Sequence, residues 1–332
     1  MPRRTTLAAA AASTVLGLTA CGSGTAEEAP TSESSGDYPV TVENCGAEVT
    51  FEAAPERVLL LKSASVPYLH ALGVMDRVTA RAGVYPDEYY DEATRAELDD
   101  VELLTDDIDA SGHLLISQEV VISQEPDLVM GAVDNIPRES LADVAIPMLE
   151  EPVLCDTEGA APSFADITTQ METYGRVFGR EEEAAAAAAE VADRLAAVEE
   201  QVPADEDRTA AVLFPTVGGG VTYAYGAGSM ADPQLEAAGL ENVFGDVDER
   251  VFEVTLEELL GRDPDLLVLL HSEGDPEGVE QAVRDLPGAD ELTAVREDAM
   301  LPMLLNFTEP PTPLSVDGLE RIVETFAEPG RG

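Results

Sequence analysis

Positive charge is scarce in this chain. Against 67 aspartates and glutamates stand 18 lysines and arginines, Lys62 is the only lysine, and the formal net charge is −49 over 332 residues. A surface of that sign repels phosphate backbones and anionic headgroups, which disfavours nucleic acid as a partner and electrostatic docking on a membrane. Tryptophan is absent and aromatics make up 5% of the chain, so any site built on large flat side chains must draw on eight tyrosines and eight phenylalanines. The three histidines, at 70, 113 and 271, and the three cysteines lack metal-ligand spacing, which argues against a bare metal ion as ligand. There is no Gly-x-Ser-x-Gly elbow, no His-Glu-x-x-His pair and no dinucleotide fingerprint. Gly218-Gly219-Gly220 is followed by no Gly-Lys-Ser/Thr and lies between two strand patterns, so it reads as a hairpin turn and not as a phosphate loop.

Long apolar runs are missing as well. Leu7 to Ala20, which follows Arg3 and Arg4, falls short of the ~20 residues that cross a bilayer and reads as part of a signal peptide over residues 1–20. Its end, Leu18-Thr19-Ala20-Cys21-Gly22, resembles the lipobox of bacterial lipoproteins, which implies Cys21 as the lipidated first residue of an exported chain; an ordinary signal peptide with a chance cysteine is the alternative. Residues 21–37 carry no large apolar side chain and read as a flexible tether. Export implies an oxidising compartment, where the remaining pair Cys45 and Cys155 reads as one disulfide, two separate thiols being the alternative.

Hydrophobic content of 45% in 332 residues suffices for two domains with cores. Near the middle lies EEEAAAAAAEVADRLAAVEEQV, residues 181–202, with no Gly or Pro, three glutamates at the positive end of the helix dipole, and Gly179 and Pro203 as breaks. Val191, Leu195, Val198 and Val202 form one apolar stripe. The spacing predicts a helix over 181–202 joining two lobes, with an ordinary surface helix in one domain as the alternative.

Each flank alternates short strands with helices, as a parallel sheet covered on both faces requires. Before the helix, 40–51 reads as a hairpin, 55–61, 78–81, 101–104 and 126–131 as strands, and 146–148 with 152–154 as the last strand; helices are expected at 67–72 and 117–123. After it, 209–214, 221–225, 264–270 and 300–304 read as strands, and 233–238, 254–260 and 315–326 as helices. "Pro-Asp-Leu" recurs at 126 and 264, as two related lobes would show.

Several runs together resemble the ferric-siderophore and cobalamin family of substrate-binding proteins: PERVLLLKSASVPYLHALGVMDRV, SQEVVISQEPDLVMG, GRVFGREEEAAAAAAEVADRLAAV, and Gly226 to Met230 with Gly239-Leu240-Glu241-Asn242-Val243. The likeness covers about residues 38 to 326. It implies two Rossmann-like α/β lobes, 38–165 and 204–332, linked through 166–203 by one long helix, with a ligand cleft between them. It further implies a monomeric lipoprotein on the outer face of the cell membrane, held there by the Cys21 lipid alone. Such a protein captures a small metal chelate and delivers it to the permease subunits of an ABC importer, with no cofactor and no catalysis.

Candidate cleft residues are Tyr85, Tyr89, Tyr90, His113, Asn135 and Arg138 before the helix, and Tyr223, Tyr225, Met230, Arg250 and Phe307 after it. Tyrosines offer rigid area to a bulky, partly apolar ligand, although each has core packing as its plain alternative, and His113 in an Asp-rich loop reads equally as a surface residue. So few arginines in so negative a field point to a neutral or cationic ferric chelate such as a hydroxamate, with cobalamin or haem as alternatives, and an enzyme or a scaffold on the same fold as rivals. The resemblance also implies one permease-docking glutamate per lobe. Glu257 matches the second; the first falls at Pro67, a departure that leaves either a neighbouring acid such as Glu88 as substitute or an asymmetric docking.

Overall fold

The computed structural model describes residues 37–109, 113–155, 161–202, 208–272 and 276–326. The expected signal peptide, Cys21 and nearly all of the tether lie outside them. The described chain opens with an antiparallel hairpin, β1 (Val40–Asn44) and β2 (Ala47–Phe51). A five-stranded, all-parallel sheet follows, from β3 (Val58–Leu60), β4 (Val78–Ala82), β5 (Glu102–Thr105), β6 (Leu128–Met130) and β7 (Met148–Leu149), in spatial order β5-β4-β3-β6-β7. Helices α1 (Val66–Ala71), α2 (Glu92–Asp99), α3 (Gln118–Ser123) and α4 (Arg138–Ala142) connect these strands. Side chains alternate across the sheet: Leu59, Ala80 and Val129 enter one apolar cluster, Val58, Leu60 and Met130 another.

The expected last strand at 152–154 is a 3-10 turn instead, since Pro152 has no N–H to donate to a ladder and starts that turn. Cys45 and Cys155 are joined, Cα–Cα 5.1 Å, and tie the hairpin to the edge of this sheet.

Two helices carry the chain onward. α5 (Phe164–Phe178) ends in left-handed Gly179, and α6 (Glu181–Glu199) stops three residues before Val202. They pack so closely that a Cβ on Gly175 would lie 2.5 Å from the Ala184 side chain. All four positions of the expected stripe meet the core, Val191 and Val198 fully buried and Leu195 and Val202 partly. Beside this stripe, Arg194 bonds Asp317 at 2.5 Å and Glu320 at 2.8 Å.

The second sheet is mixed. It contains β8 (Arg208–Pro215), β9 (Thr222–Tyr225), β10 (Leu240–Asn242), β11 (Val251–Val254), β12 (Leu266–His271) and β13 (Met300–Leu304). β10, β8, β12 and β13 run parallel, whereas β9 and β11 are antiparallel to their neighbours, because the Gly218–Gly220 turn folds β9 straight back on β8. Its helices are α7 (Ala231–Ala237), α8 (Leu256–Arg262), α9 (Pro276–Arg284), α10 (Thr293–Arg296) and α11 (Pro313–Phe326), the last packed on α6. The main apolar core continues from β3 and β6 through α5 and α6 to β8, β12 and α11.

The repeated Pro-Asp-Leu has one physical role. Asp127 accepts hydrogen bonds from the backbone N–H groups of Glu56 (2.8 Å) and Arg57 (2.9 Å), just before β3. Asp265 accepts from the backbone N–H (2.8 Å) and the hydroxyl (3.0 Å) of Thr209, at the start of β8. In each half an aspartate leading one strand caps the start of the neighbouring parallel strand.

Candidate ligand cleft

In open α/β sheets the loops beyond the carboxyl ends of the strands bear the ligand. In the first sheet β3 leads out to Lys62 and Ser63, β4 to Tyr85–Tyr90 and β6 to Gly131–Asn135; in the second, β13 leads to residues 305–311. These loops meet along a seam. Asn306 donates its amide to the Ser63 hydroxyl (3.0 Å) and its backbone N–H to the Tyr89 hydroxyl (2.9 Å), while Tyr68 donates to the Pro311 carbonyl (3.0 Å). The Tyr89 and Phe307 rings pack edge to face at 5.1 Å, and the Arg321 guanidinium lies 4.1 Å above Phe307.

The structure therefore joins Tyr89 with Phe307 and places Tyr85 and Tyr90 behind Tyr89. Tyr90 donates to the Ser63 carbonyl (3.4 Å), Tyr85 to the Ala82 carbonyl (3.2 Å), and Arg81 covers the Tyr85 ring at 5.0 Å. Burial raises all three hydroxyl pKa values, so these tyrosines act as neutral donors and packing surfaces.

Across the seam, Tyr225, Met230 and Arg250 converge on a residue the sequence reading passed over, Glu309. Its carboxylate is 2% exposed, accepts from Met230 N–H at 2.5 Å, and pairs with Arg250 Nη1 at 3.0 Å. Burial pushes the Glu309 carboxyl up, against the pull of Arg250 and of the Met230 N–H. Burial likewise raises the Tyr225 hydroxyl, with Glu309 adding to the effect. The glycines of the 226–230 loop have their reason here: a Cβ at Gly226 or Gly228 would fall within 2.6 Å of carbonyls in 247–249, the strand approach that carries Arg250. Asn242 fastens the same loop by donating to the Tyr225 carbonyl (3.3 Å) and Asp232 (3.0 Å).

The first half has a matching pair. Lys62 Nζ lies 2.7 Å from Glu150, itself 2% exposed and bonded to the backbone N–H of Ala132 at 2.7 Å. Neither glutamate stood out in sequence, amid so many acids. The lone lysine directly after a buried strand was the available signal for one, and proline-flanked Thr-Glu-Pro-Pro for the other.

The remaining candidates lie apart. Arg138 bonds the Met148 carbonyl and Asn44 (2.7 Å), bracing the β1 hairpin against β7, and burial lowers its pKa. Asn135 donates to the Ile116 carbonyl at 2.6 Å, tying together two loops. His113 is exposed, 3.5 Å from Asp109, and Tyr223 stands half-exposed on β9. Glu257 is exposed in the first turn of α8, Pro67 opens α1, and Glu88 is exposed in the turn before Tyr89. Concavities of about 790 Å³, between Arg208 and Arg262, and about 280 Å³, between Gly220 and Leu286, contain none of these candidates. The larger lies at the amino-terminal ends of β8 and β10, away from the loops that carry ligands in such sheets.

A two-lobed α/β protein whose strand-end loops face each other across a seam has the form of a solute-binding protein. The family model described as periplasmic binding protein matches residues 58–300, and the chain belongs to that family. It is a family of substrate-binding transport proteins that deliver small ligands to ABC permeases outside the cytoplasm, not of enzymes. A solved structure of an ABC-type Fe3+-hydroxamate transport system from Saccharomonospora viridis is 56% identical, with a TM-score of 0.84 over 88% of this chain and 100% of that one. A periplasmic binding protein from Veillonella parvula shares the fold, with a TM-score of 0.72 at 20% identity over 87% and 97%. The cobalamin-binding protein of Halobacterium salinarum is 26% identical over 236 residues, which are 70% of this chain and 58% of that protein, so the chain spans less than two thirds of this curated relative.

Proposed function

We propose that this protein captures a ferric siderophore as a neutral or cationic chelate, of hydroxamate type, and hands it to the permease of an ABC importer. The observation that carries this reading is the 56% identity, across the whole of its partner, with a component of an Fe3+-hydroxamate transport system. It is supported by the seam itself, where partly exposed Arg250 keeps a guanidinium beside the loops that bear ligands in such sheets and the buried Tyr89–Phe307 pair joins the two halves. Lipidation at Cys21, with the chain held on the outer face of the membrane as a monomer, completes the proposal and rests on the sequence alone. Glu257, exposed in the first turn of α8, is the permease contact, and exposed Glu88 stands in for the first-lobe position that falls at Pro67.

Titration of the purified protein with a ferric trihydroxamate and a ferric tricatecholate, read by quenching of tyrosine fluorescence, tests the ligand class. Tighter trihydroxamate binding is the expected result, and tighter tricatecholate binding refutes it. The 26% identity with a cobalamin-binding protein favours cobalamin as the second reading, and tight cyanocobalamin binding without chelate binding would establish it.

A further inference from the structure

Two cations stand beside the seam, and each is held by a glutamate that is 2% exposed: Lys62 by Glu150 at 2.7 Å and Arg250 by Glu309 at 3.0 Å. They are joined by a short path of contacts. Lys62 is followed by Ser63, which accepts from Asn306, and three residues on from Asn306 is Glu309. Both cations remain partly exposed, 34% and 39% of their side chains, so each guanidinium or ammonium can still donate to an oxygen arriving from the cleft.

We propose that Glu150 and Glu309 set the charge the cleft accepts: they cancel the two cations and leave hydrogen-bond donors without net positive charge. The inference rests on the cleft reading above and deepens it. An anionic chelate meeting an unpaired arginine and lysine in a partly desolvated site would be strongly attracted. The same chelate meeting two compensated pairs finds no net attraction, and its own hydration goes unreplaced. An uncharged, oxygen-rich chelate loses little by the cancellation, because hydrogen bonding survives it. Glu150 and Glu309 are thus positioning residues that act through Lys62 and Arg250. The exposed Arg321 over Phe307 has no such buried partner among the described contacts, and stays hydrated at the surface.

Glu309→Gln and the pair Arg250→Met/Glu309→Gln test this at pH 7.5, each titrated with an uncharged ferric trihydroxamate, uncharged cyanocobalamin and a trianionic ferric tricatecholate. Wild type should favour an uncharged probe over the trianion by about a hundredfold or more. Glu309→Gln should shrink that ratio by about tenfold, and the paired substitution, which restores balance, should return it. The inference is overturned if a cooperatively folded Glu309→Gln leaves the ratio where it was, or if wild type binds the trianion as tightly as the uncharged probes. Should Glu309→Gln fail to fold, Glu150→Gln and Lys62→Met/Glu150→Gln carry the same comparison with the same outcomes. If wild type takes cyanocobalamin and not the trihydroxamate while the ratios shift as described, the siderophore reading fails and this one stands. Binding of neither uncharged probe sinks both.

Discussion

Glu151 shows what one buried carboxyl does to a molecule this acidic. It is 2% exposed, accepts from the Tyr174 hydroxyl at 2.9 Å, and burial pushes its carboxyl up to about 8. In the native state it keeps its proton well above the pH at which an unfolded glutamate releases it. Between about 4.5 and about 8 the native chain therefore binds the extra proton, and stability falls as pH rises through that window and levels off above it. Glu151→Gln, which mimics the protonated acid, should flatten the slope and raise the melting temperature at pH 8 more than at pH 5. Thermal melts of both proteins at unit pH steps check this; parallel slopes would assign the pH dependence to other groups. None of it is legible in sequence, where Glu150-Glu151 is one acidic pair among many. Burial of a charge-bearing side chain is decided by tertiary packing around β7, which leaves no local pattern. The same holds for Arg138, whose bond to Asn44 spans 94 residues.

At the scale of elements the sequence was a better guide, for a physical reason. Strands such as β3, β6, β8 and β12 are continuous apolar runs bounded by Pro and Asp, and α6 carries its stripe and its breaks in its own residues. What escaped were mostly elements lacking a strong period of their own, although α9, whose Val279 and Val283 are buried one turn apart, escaped as well. α2 and α4 are polar surface helices, and β11 exists because β9 offers it an edge. The Pro-Asp pairs were visible as a repeat, though not as caps. Replacing Asp265 with Ala strips the backbone N–H of Thr209 of its acceptor where β8 begins, and should cost about 1–2 kcal/mol in denaturant melts. Asp127→Ala at the more exposed start of β3 should cost less. A value near zero for both would reduce the repeat to coincidence.

For the whole molecule, family and two-lobed form followed from the order of motifs along the chain, whereas the seam did not, because its contacts pair residues such as Ser63 and Asn306, 243 positions apart. Transport needs a second interaction that leaves the ligand alone. Reversing the charge of Glu257 should cut uptake by about tenfold in cells while the purified protein keeps its ligand affinity, since the residue is exposed in the first turn of α8 and makes none of the contacts described at the seam. Equal uptake by Glu257→Lys and wild type would remove the docking role. The amino-terminal hairpin carries a mechanical consequence. Apart from the large sheets, β1 and β2 form a two-stranded ladder with each other, held to the first sheet by the side chain of Asn44 at the end of β1. A pull on the chain ahead of Tyr38 would peel such a ribbon away strand by strand, were Cys45 not bonded to Cys155. With the bond in place, a load that has passed β1 goes to the rim of the five-stranded sheet, so β2 and the rest of the first lobe are shielded from force applied at the front end.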